Sequence, residues 1–406
     1  MAKSYVKSLI HSTFIICLAS CSTNIFAESK STLAAKAYLE NNVWKKEQRY
    51  DISHFLMIPM FYAFEKNDED LIQAYRKYVK NFYTQKQDQL NFHKNEQRLT
   101  DTQFLYFLST YAVLSENKYP EYSKSILKDI EKVWYEIPAW QWSRKPFTNM
   151  KERFDWKLQT SSDAGYSRAI IDEELFILGA AANLTRIYPN NKMLKEINSY
   201  TTRIFKQRSH WNNDRWLFDV GVWDKHPSYA YVGYNDTKNI VEKRPGKNTV
   251  ADSSHFFRMP VLLWSFQKAY PANSPEAGLF KSYRQGLEKQ FFKKVVVKKD
   301  NKILLNNFMD GRNGVYRWKY QGTGKGHEAY GLSSSLGMGW WAMLPGERVQ
   351  NLYKDYYVQL NTGKDKINCD VIMERMIKNP NTNSYPKMRT CFYLYNSDLA
   401  SKITNK

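Results

Sequence analysis

DISHFLMIPMFYAFEKNDEDLIQAYRKYVKNFYT, residues 51–84, contains two apolar-periodic segments, 51–65 and 69–84, on either side of the polar break Asn67-Asp68. Apolar residues at helical spacing on both sides of a short break predict a helical hairpin. The pattern continues outward and predicts further helices over residues 31–47, 100–115, 120–135, 163–187, 192–208, 254–270, 275–292, 331–343 and 346–360. Helix-breaking residues follow at Asn117 with Pro120, at 189–191, at Pro271 with Asn273 and Pro275, and at Pro345-Gly346. The chain is therefore predicted to be a series of helical hairpins with long loops between the pairs.

Strand signals are scarce, and no linker divides the chain. Residues 295–297 and 303–305 flank a Lys/Asp/Asn turn and predict one small β-hairpin. A body of about 380 residues exceeds the usual size of one domain, so either two domains or one large architecture is needed. Because no Gly/Ser-rich or Pro-rich linker is present, we expect one helical domain over residues 31–360. We also expect a signal peptide (1–20) and a tether (21–30) before it and a disulfide-pinned segment (361–406) after it.

Paired helices at intervals of about 40 to 60 residues are typical of helical repeat architectures, either open or closed into a ring. Long aromatic loops separate the pairs at residues 137–162, 209–250 and 306–330, and such loops suit an enzyme more than a scaffold. Over most of the body this pattern resembles the bacterial α/α-toroid carbohydrate-active enzymes, which include polysaccharide lyases and glycoside hydrolases. The resemblance implies an all-α fold, an incomplete or closed toroid, with a cleft at one set of inner helix ends.

The beginning of the chain has the form of an export signal. Lys3 and Lys7 precede an apolar stretch over residues 9–19, which is too short to span a membrane. The run Leu18-Ala19-Ser20-Cys21 also resembles the bacterial lipobox, which implies an acylated Cys21 and an outer-membrane lipoprotein facing the periplasm or the cell surface. The alternative is cleavage after Ala27, which would leave a soluble periplasmic or secreted protein.

Cysteine usage agrees with export, because only Cys369 and Cys391 remain in the body once Cys17 and Cys21 are assigned to the signal and anchor. An even number in an oxidising compartment predicts a bridge. The alternative is two unrelated buried thiols. We expect no metal site, since no further cysteine and no paired histidine spacing lies nearby.

The composition indicates an anionic partner. A net charge of +20 attracts acidic polysaccharide, lipid headgroups or nucleic acid, and the dispersed charge together with the exported compartment argues against nucleic acid. Trp and Tyr in polar loops, within an aromatic content of 16%, fit stacking on sugar faces, although aromatic-rich helical cores would look similar. Nucleotide-binding and metalloprotease motifs are absent from the sequence. We expect a monomer that uses no cofactor.

The first candidate segment is residues 251–258, ADSSHFFR, before Pro260. Asp252 and His255 lie three residues apart, so the carboxylate could orient the imidazole as a general base. The segment loosely resembles the Asn-Asn-His-aromatic run of toroid alginate and glycosaminoglycan lyases, with His255 matching the histidine. Serines stand where the asparagines would, which leaves Arg258 as the candidate to offset substrate charge. The alternative assigns Asp252 to helix capping and His255 to packing.

The second candidate segment is residues 223–236, which is rich in tyrosine. Tyr234 could transfer a proton, and Asn235 could bind a uronate carboxylate. Tyr231 and Trp223 are further candidates for substrate binding through their rings. The alternative is a tyrosine-rich loop that only packs over the helices.

The third candidate segment comprises 309–314 and 327–332. Asp310 and Glu328 could be the paired carboxylates of a glycosidase, and Tyr330 could handle a proton. Arg312 and Trp340 are candidates for substrate binding. The alternative for Glu328 is a charge at a helix N-terminus.

Glu174 projects from the apolar face of a predicted helix, with Ile170, Ile171, Ile177 and Leu178 as its neighbours. Burial would raise its pKa and suit it to general acid catalysis. A buried structural ion pair is the alternative, and it is the one that the many arginines favour.

Together these features indicate an exported enzyme that acts on an acidic polysaccharide by β-elimination at a uronate-type residue. A glycoside hydrolase with paired carboxylates is one alternative. A noncatalytic lipoprotein that binds or assembles surface glycan is another, and it explains everything except the clustering of His, Tyr and carboxylate residues.

Replacing Cys21 with Ser should move the protein from the membrane fraction to the soluble periplasmic fraction. A lipid anchor would supply nearly all membrane affinity for a body of such low hydropathy. Fractionation with acyl labelling tests this, and a wild-type protein that carries no acyl label and fractionates like the variant would contradict the lipobox assignment.

Overall fold

A computed structural model describes residues 29–40, 49–84, 90–140, 146–160, 162–229, 232, 246–317, 326–362, 368–378 and 385–404. This part of the chain is mostly helical, as predicted, with fourteen α-helices and two antiparallel two-stranded sheets. The helices are α1 Lys30–Glu40, α2 Arg49–Lys66, α3 Glu69–Thr84, α4 Asn95–Leu114, α5 Pro120–Glu131, α6 Met150–Gln159, α7 Asp172–Thr185, α8 Lys192–Arg208, α9 Ser253–Phe256, α10 Met259–Lys268, α11 Pro275–Gln290, α12 Glu347–Thr362, α13 Cys369–Lys378 and α14 Tyr385–Ala400. The strands are β1 Ser209–Asn212, β2 Arg215–Phe218, β3 Val296–Lys299 and β4 Lys302–Leu305.

The helices fall into two classes by the distribution of their apolar residues. Helices α2, α4, α7 and α10 are buried nearly all round, and α7 is buried continuously from Glu173 to Thr185. By contrast, α3, α5 and α8 each bury one apolar stripe and expose charged residues on the opposite face. A helix without a polar face is stable in water only when other elements surround it, so the first class forms the core and the second covers it.

The core helices pack side by side in chain order, α2 on α4, α4 on α7 and α7 on α10. The 3₁₀ turn Trp340–Met343 packs on α10, while α14 packs on the turn Ser333–Met338 and on α2. Outside them, α3 covers α2, α5 covers α4, α8 covers α7 and α11 covers α10. Gly179 permits a close approach of the core helices, because a Cβ there would lie 2.7 Å from Leu262 and from Tyr106. Side chains of α4 and α10 therefore meet at a glycine of α7.

Three predicted helices are interrupted. The segment predicted as 163–187 contains a 3₁₀ helix, Ser162–Arg168, and three residues outside any helix before α7 begins at Asp172. The segment 254–270 divides into α9 and α10, since Pro260 lacks the N–H that a continuous helix requires. The segment 331–343 forms two 3₁₀ turns separated by Gly339, whose φ of 82° is left-handed.

Some elements were not predicted. Helix α6 lies in the segment predicted as loop 137–162, and α13 and α14 lie in the C-terminal segment. The predicted β-hairpin is confirmed as β3 and β4, but the prediction of a single hairpin was wrong, because β1 pairs with β2 as well. Buried Trp216 anchors that second hairpin, and its indole N–H donates to Ser209 Oγ at 2.7 Å.

The C-terminal helix joins the two ends of the described chain. The bridge between Cys369 and Cys391 is confirmed, with a Cα–Cα distance of 5.3 Å between α13 and α14. From α14, Asn396 donates to the Phe55 carbonyl of α2 at 3.0 Å, and Ser31 Oγ of α1 donates to Asp398 at 2.7 Å. Among the described helices, none combines the length and the hydropathy needed to cross a bilayer.

Replacing both Cys369 and Cys391 with Ser should lower the free energy of unfolding by about 3 kcal/mol, because a bridge across 22 residues restricts the denatured chain. Urea unfolding of the variant and the wild type measures this. Peptide mapping of the wild type without reductant should find one linked pair, and two freely alkylatable thiols in the folded protein would contradict the bridge.

Candidate functional site

A cavity of about 420 Å³ opens where the N-terminal ends of α4, α7 and α10 and the short helix α9 meet. Its wall includes Leu99 of α4, Asp172 of α7, His255 of α9 and Met259 of α10. Loop residues complete it, namely Trp140, Asp219, Trp223, His226, Tyr229, Asp252, Tyr316 and Arg317. Helix N-termini carry partial positive charge, so this end of the core favours negatively charged groups.

Asp252 both caps α9 and orients His255. Its Oδ1 accepts from the backbone N–H groups of Ser254 and His255, each at 3.0 Å. The same carboxylate lies 2.9 Å and 3.0 Å from His255 Nδ1. Burial alone would raise the pKa of Asp252, but the charge and hydrogen bond of His255 and the Ser254 hydroxyl hold that pKa well below its usual range. The capping and orienting interpretations of this segment therefore both hold.

The hydrogen bonds of His255 define its tautomer. Nδ1 faces a carboxylate, which only accepts, so Nδ1 carries the hydrogen. Nε2 lies 3.3 Å from Nη2 of Arg317, and a guanidinium only donates, so Nε2 presents its lone pair. The side chain of His255 is 32% exposed. In this arrangement the Nε2 lone pair, the group that would act as a general base, faces the Arg317 guanidinium.

Tyr316 and Arg317 stand beside this imidazole. The Tyr316 hydroxyl lies 3.2 Å from His255 Nδ1 and accepts from Nε of Arg317. Burial and the charge of Asp252 raise the pKa of Tyr316 well above its usual value, although Arg317 opposes the shift. Tyr316 therefore keeps its proton and presents a neutral phenol beside the imidazole. Tyr229, whose ring centroid lies 5.6 Å from that of Tyr316, donates to Oδ2 of Asp252 at 3.3 Å.

Arg258 lines the cavity but is bound on several sides by protein groups. Nη1 lies 2.8 Å from Asp172, Nη2 donates to the Tyr50 hydroxyl at 2.7 Å, and Nε donates to His54 Nε2 at 3.0 Å. Burial and the charge of Arg258 hold the pKa of His54 well below its usual value, so His54 is neutral and can accept. The predicted use of Arg258 against substrate charge stays a prediction.

Three carboxylates in the cavity wall, other than Asp252, have a cationic neighbour. Glu173 lies 3.0 Å from Arg153, and Asp219 lies 3.5 Å from Arg208. Asp172 pairs with Arg258 in the same way. These carboxylates are therefore held as salt bridges within the wall.

Glu174 lies beneath the cavity and is fully buried. Its oxygens lie 2.8 Å from Arg153 Nε and 2.7 Å from Lys157 Nζ, and they also accept from the Ile171 N–H at 2.9 Å. Burial alone would raise the pKa of Glu174, but the two cations lower it below its usual value. The prediction of a raised pKa and a general acid was wrong, and the buried ion pair is confirmed.

The paired carboxylates predicted in the third segment do not line this cavity. Asp310 forms a salt bridge of 2.6 Å with Arg312, which also donates to the Lys247 and Asn248 carbonyls, and both side chains line a separate groove. Glu328 is exposed outside the cavity. Tyr330 lies in a turn with a φ of 62°, below the Lys299 ammonium.

The remaining predicted residues lie in different places. Trp223 lines the cavity and stacks on Tyr229 with ring centroids 5.3 Å apart. Trp340 is fully buried and donates to the His54 carbonyl at 2.8 Å, so its assignment to substrate binding was wrong. The predicted site residues Tyr231, Tyr234 and Asn235, and the lipidation candidate Cys21, lie outside the described residues.

Sequence reasoning missed Tyr316 and Arg317. They lie in the loop 306–330, which was singled out only for its length and aromatic content, and the bridge between Tyr316 and His327 positions them. Their separation from His255 by 61 and 62 residues left no local spacing to detect.

Within the described ranges, no group of three or more His, Cys, Asp or Glu side chains is arranged to hold a metal ion. Comparison of the chain with protein-family models, with curated proteins and with solved structures finds no match.

Replacing Asp252 with Asn should destabilise the fold by about 1–3 kcal/mol at neutral pH, because the buried carboxylate accepts several hydrogen bonds. The folded pKa of Asp252 lies below its ordinary 3.8, so its contribution is present above that pH and is lost as the pH falls below it. Urea unfolding at several pH values should show that the difference in free energy of unfolding between wild type and variant becomes smaller below about pH 4. A difference in free energy of unfolding that stays constant as the pH falls below about 4 would contradict this prediction.

Proposed function

We propose that this chain is an exported enzyme that cleaves an acidic polysaccharide by β-elimination at a uronate residue. The observation that supports it is the imidazole of His255, held by Asp252 through Nδ1, with the Tyr316 phenol beside it and the Arg317 guanidinium facing Nε2. β-Elimination needs a base, a proton donor and a cation near the uronate carboxylate. His255, Tyr316 and Arg317 fit those three tasks.

In the proposed reaction, His255 Nε2 takes the proton on the carbon next to the uronate carboxylate. The electron pair of that C–H bond moves into the carboxylate as an enolate, whose charge Arg317 offsets. The pair then forms the carbon–carbon double bond as the neighbouring C–O bond breaks. Tyr316 gives its proton to the departing glycosidic oxygen. Asp252 stabilises the imidazolium, and exchange with solvent through the exposed imidazole restores both groups.

The walls of the cavity suit a sugar chain. Trp140 is 38% exposed and Trp223 stands in the same wall, so two indole faces are positioned for stacking on pyranose rings. The net charge of +20 favours approach of an acidic polymer over long range. Both features also serve the proposed glycan-binding alternative, so the base and proton donor distinguish an enzyme from a binding protein.

The packing order of the helices supports a proposed closed α/α toroid. Core helices α2, α4, α7 and α10 pack on one another in that order. Helix α10 then contacts the turn Trp340–Met343, and the neighbouring turn Ser333–Met338 contacts α14. Helix α14 packs on α2, which returns the series to its first helix. Outer helices run between them in the chain. In such a ring the N-terminal ends of the inner helices share one face, which is where His255 stands. Export and lipid anchoring at Cys21 remain parts of the same proposal.

The test is incubation of the purified body with alginate, polygalacturonate, hyaluronan and neutral polysaccharides, while recording the ultraviolet absorbance of unsaturated uronate and the release of reducing ends. Elimination produces both signals. Reducing ends without the chromophore would indicate a hydrolase, and binding without either signal would indicate a glycan-binding protein.

His255→Ala should lower turnover by about 100-fold to 10,000-fold, because a positioned base is lost, while the melting temperature changes little. Tyr316→Phe should lower kcat through loss of the phenol proton. His210→Ala is the matched control, since His210 is exposed on β1 and does not line the cavity. A folded His255→Ala protein that retains more than roughly a tenth of wild-type turnover would remove His255 from the mechanism.

A further inference from the structure

A second cavity, of about 220 Å³, lies behind His255 and Arg258. These two residues line both cavities, while the other residues of the two walls differ. The first cavity is completed by α7 and the loops around 223 and 316, and the second by α2, the segment 327–338 and α14. His255 therefore stands at the boundary between two cavities, with one cavity on either side of it.

The second cavity contains a cation that the first does not, Arg389 of α14. Arg389 is exposed, and its Nε donates to the Tyr393 hydroxyl at 2.8 Å, which orients the guanidinium. Asp51 stands in the same wall. Burial raises the pKa of Asp51 above its usual value, although the charge of Arg389 opposes the shift. A guanidinium has five donors, so it can serve Tyr393, Asp51 and a further carboxylate together.

The polar groups around Arg389 complete a surface suited to a charged sugar. Ser254, Ser334 and the Tyr393 hydroxyl can bond to sugar hydroxyls, and His327 lies on the same side. Burial lowers the pKa of His327, so it is neutral near pH 7 and offers both a donor and an acceptor. An arginine fork among hydroxyl groups is an arrangement that recognises a carboxylate on a sugar.

We infer that the second cavity binds a further acidic sugar of the substrate chain, with the carboxylate of that sugar paired to Arg389. The inference rests on the proposed function, because it takes the scissile bond to lie at His255. It implies cleavage within a chain, with sugars held on both sides of the broken bond. It also assigns a recognition task to α14, whose position the bridge at Cys391 restrains two residues after Arg389.

The experiment compares wild type, Arg389→Gln and Arg348→Gln on hexasaccharides of galacturonate, alginate and hyaluronan. Arg348 is the matched control, because it is an exposed arginine near the start of α12, over the Phe292 ring, and lines neither cavity. KM and kcat are measured on any hexasaccharide that is cleaved. Affinity is measured by calorimetry for each hexasaccharide and for its carboxyl-reduced form, using the catalytically impaired background His255→Ala where cleavage occurs.

Arg389→Gln should raise KM and weaken binding of the acidic hexasaccharide about tenfold, with kcat nearly unchanged, because a charge-assisted pair is lost away from the reacting atoms. Arg348→Gln should change neither quantity. Binding of the carboxyl-reduced hexasaccharide should be the same in both variants. Arg389→Lys should restore part of the affinity, because it keeps the charge without the planar fork.

The outcomes separate the two proposals. Cleavage by the wild type with KM and affinity unchanged in Arg389→Gln would overturn the second subsite and leave the elimination proposal intact. Binding that weakens in Arg389→Gln without any cleavage would support the subsite and overturn the elimination. A wild-type protein that neither binds nor cleaves any of the acidic hexasaccharides overturns both.

Discussion

The guanidinium of Arg258 is the interaction on which the arrangement of the cavity depends. It bonds to Tyr50 and His54 of α2 and to Asp172 at the start of α7, while its own backbone stands between α9 and α10. A charge with 4% exposure is costly unless its donors are satisfied, so these elements must meet in this geometry for the fold to be stable. The position of His255, three residues before Arg258, follows from the same constraint.

The carboxylate of Asp252 serves both the local fold and the proposed chemistry. A capping residue must place an oxygen on the first N–H groups of a helix, and a base-orienting residue must place one on an imidazole nitrogen. In a helix of one turn the two targets lie close enough for a single side chain to reach both. The same bonds that begin α9 therefore also orient the imidazole of His255, and the contacts with Tyr316 and Arg317 add to them.

The sequence predicted elements well where the signal is local. The predicted ranges 69–84 and 192–208 coincide with α3 and α8, because a one-sided apolar stripe between polar breaks is read directly from spacing. Prediction failed where a partner lies far along the chain. Helix α6 carries Arg153 and Lys157, and because that helix was taken for a loop, the two cations that lower the pKa of Glu174 were not foreseen. Trp340 was misassigned because the neighbouring residues in the sequence do not show whether a tryptophan is buried or exposed.

The packing of α14 has a consequence for how the chain acquires its structure. Asn396 meets Phe55 and Asp398 meets Ser31, contacts that join positions 341 and 367 residues apart. A ribosome delivers residue 31 long before residue 398, so α1 and α2 lack these partners while most of the chain is being made. Contacts of such long sequence separation form slowly, because loop closure must precede them. Maturation should therefore be post-translational and slow, with the apolar flank of α2 open to holding chaperones until the last helix arrives.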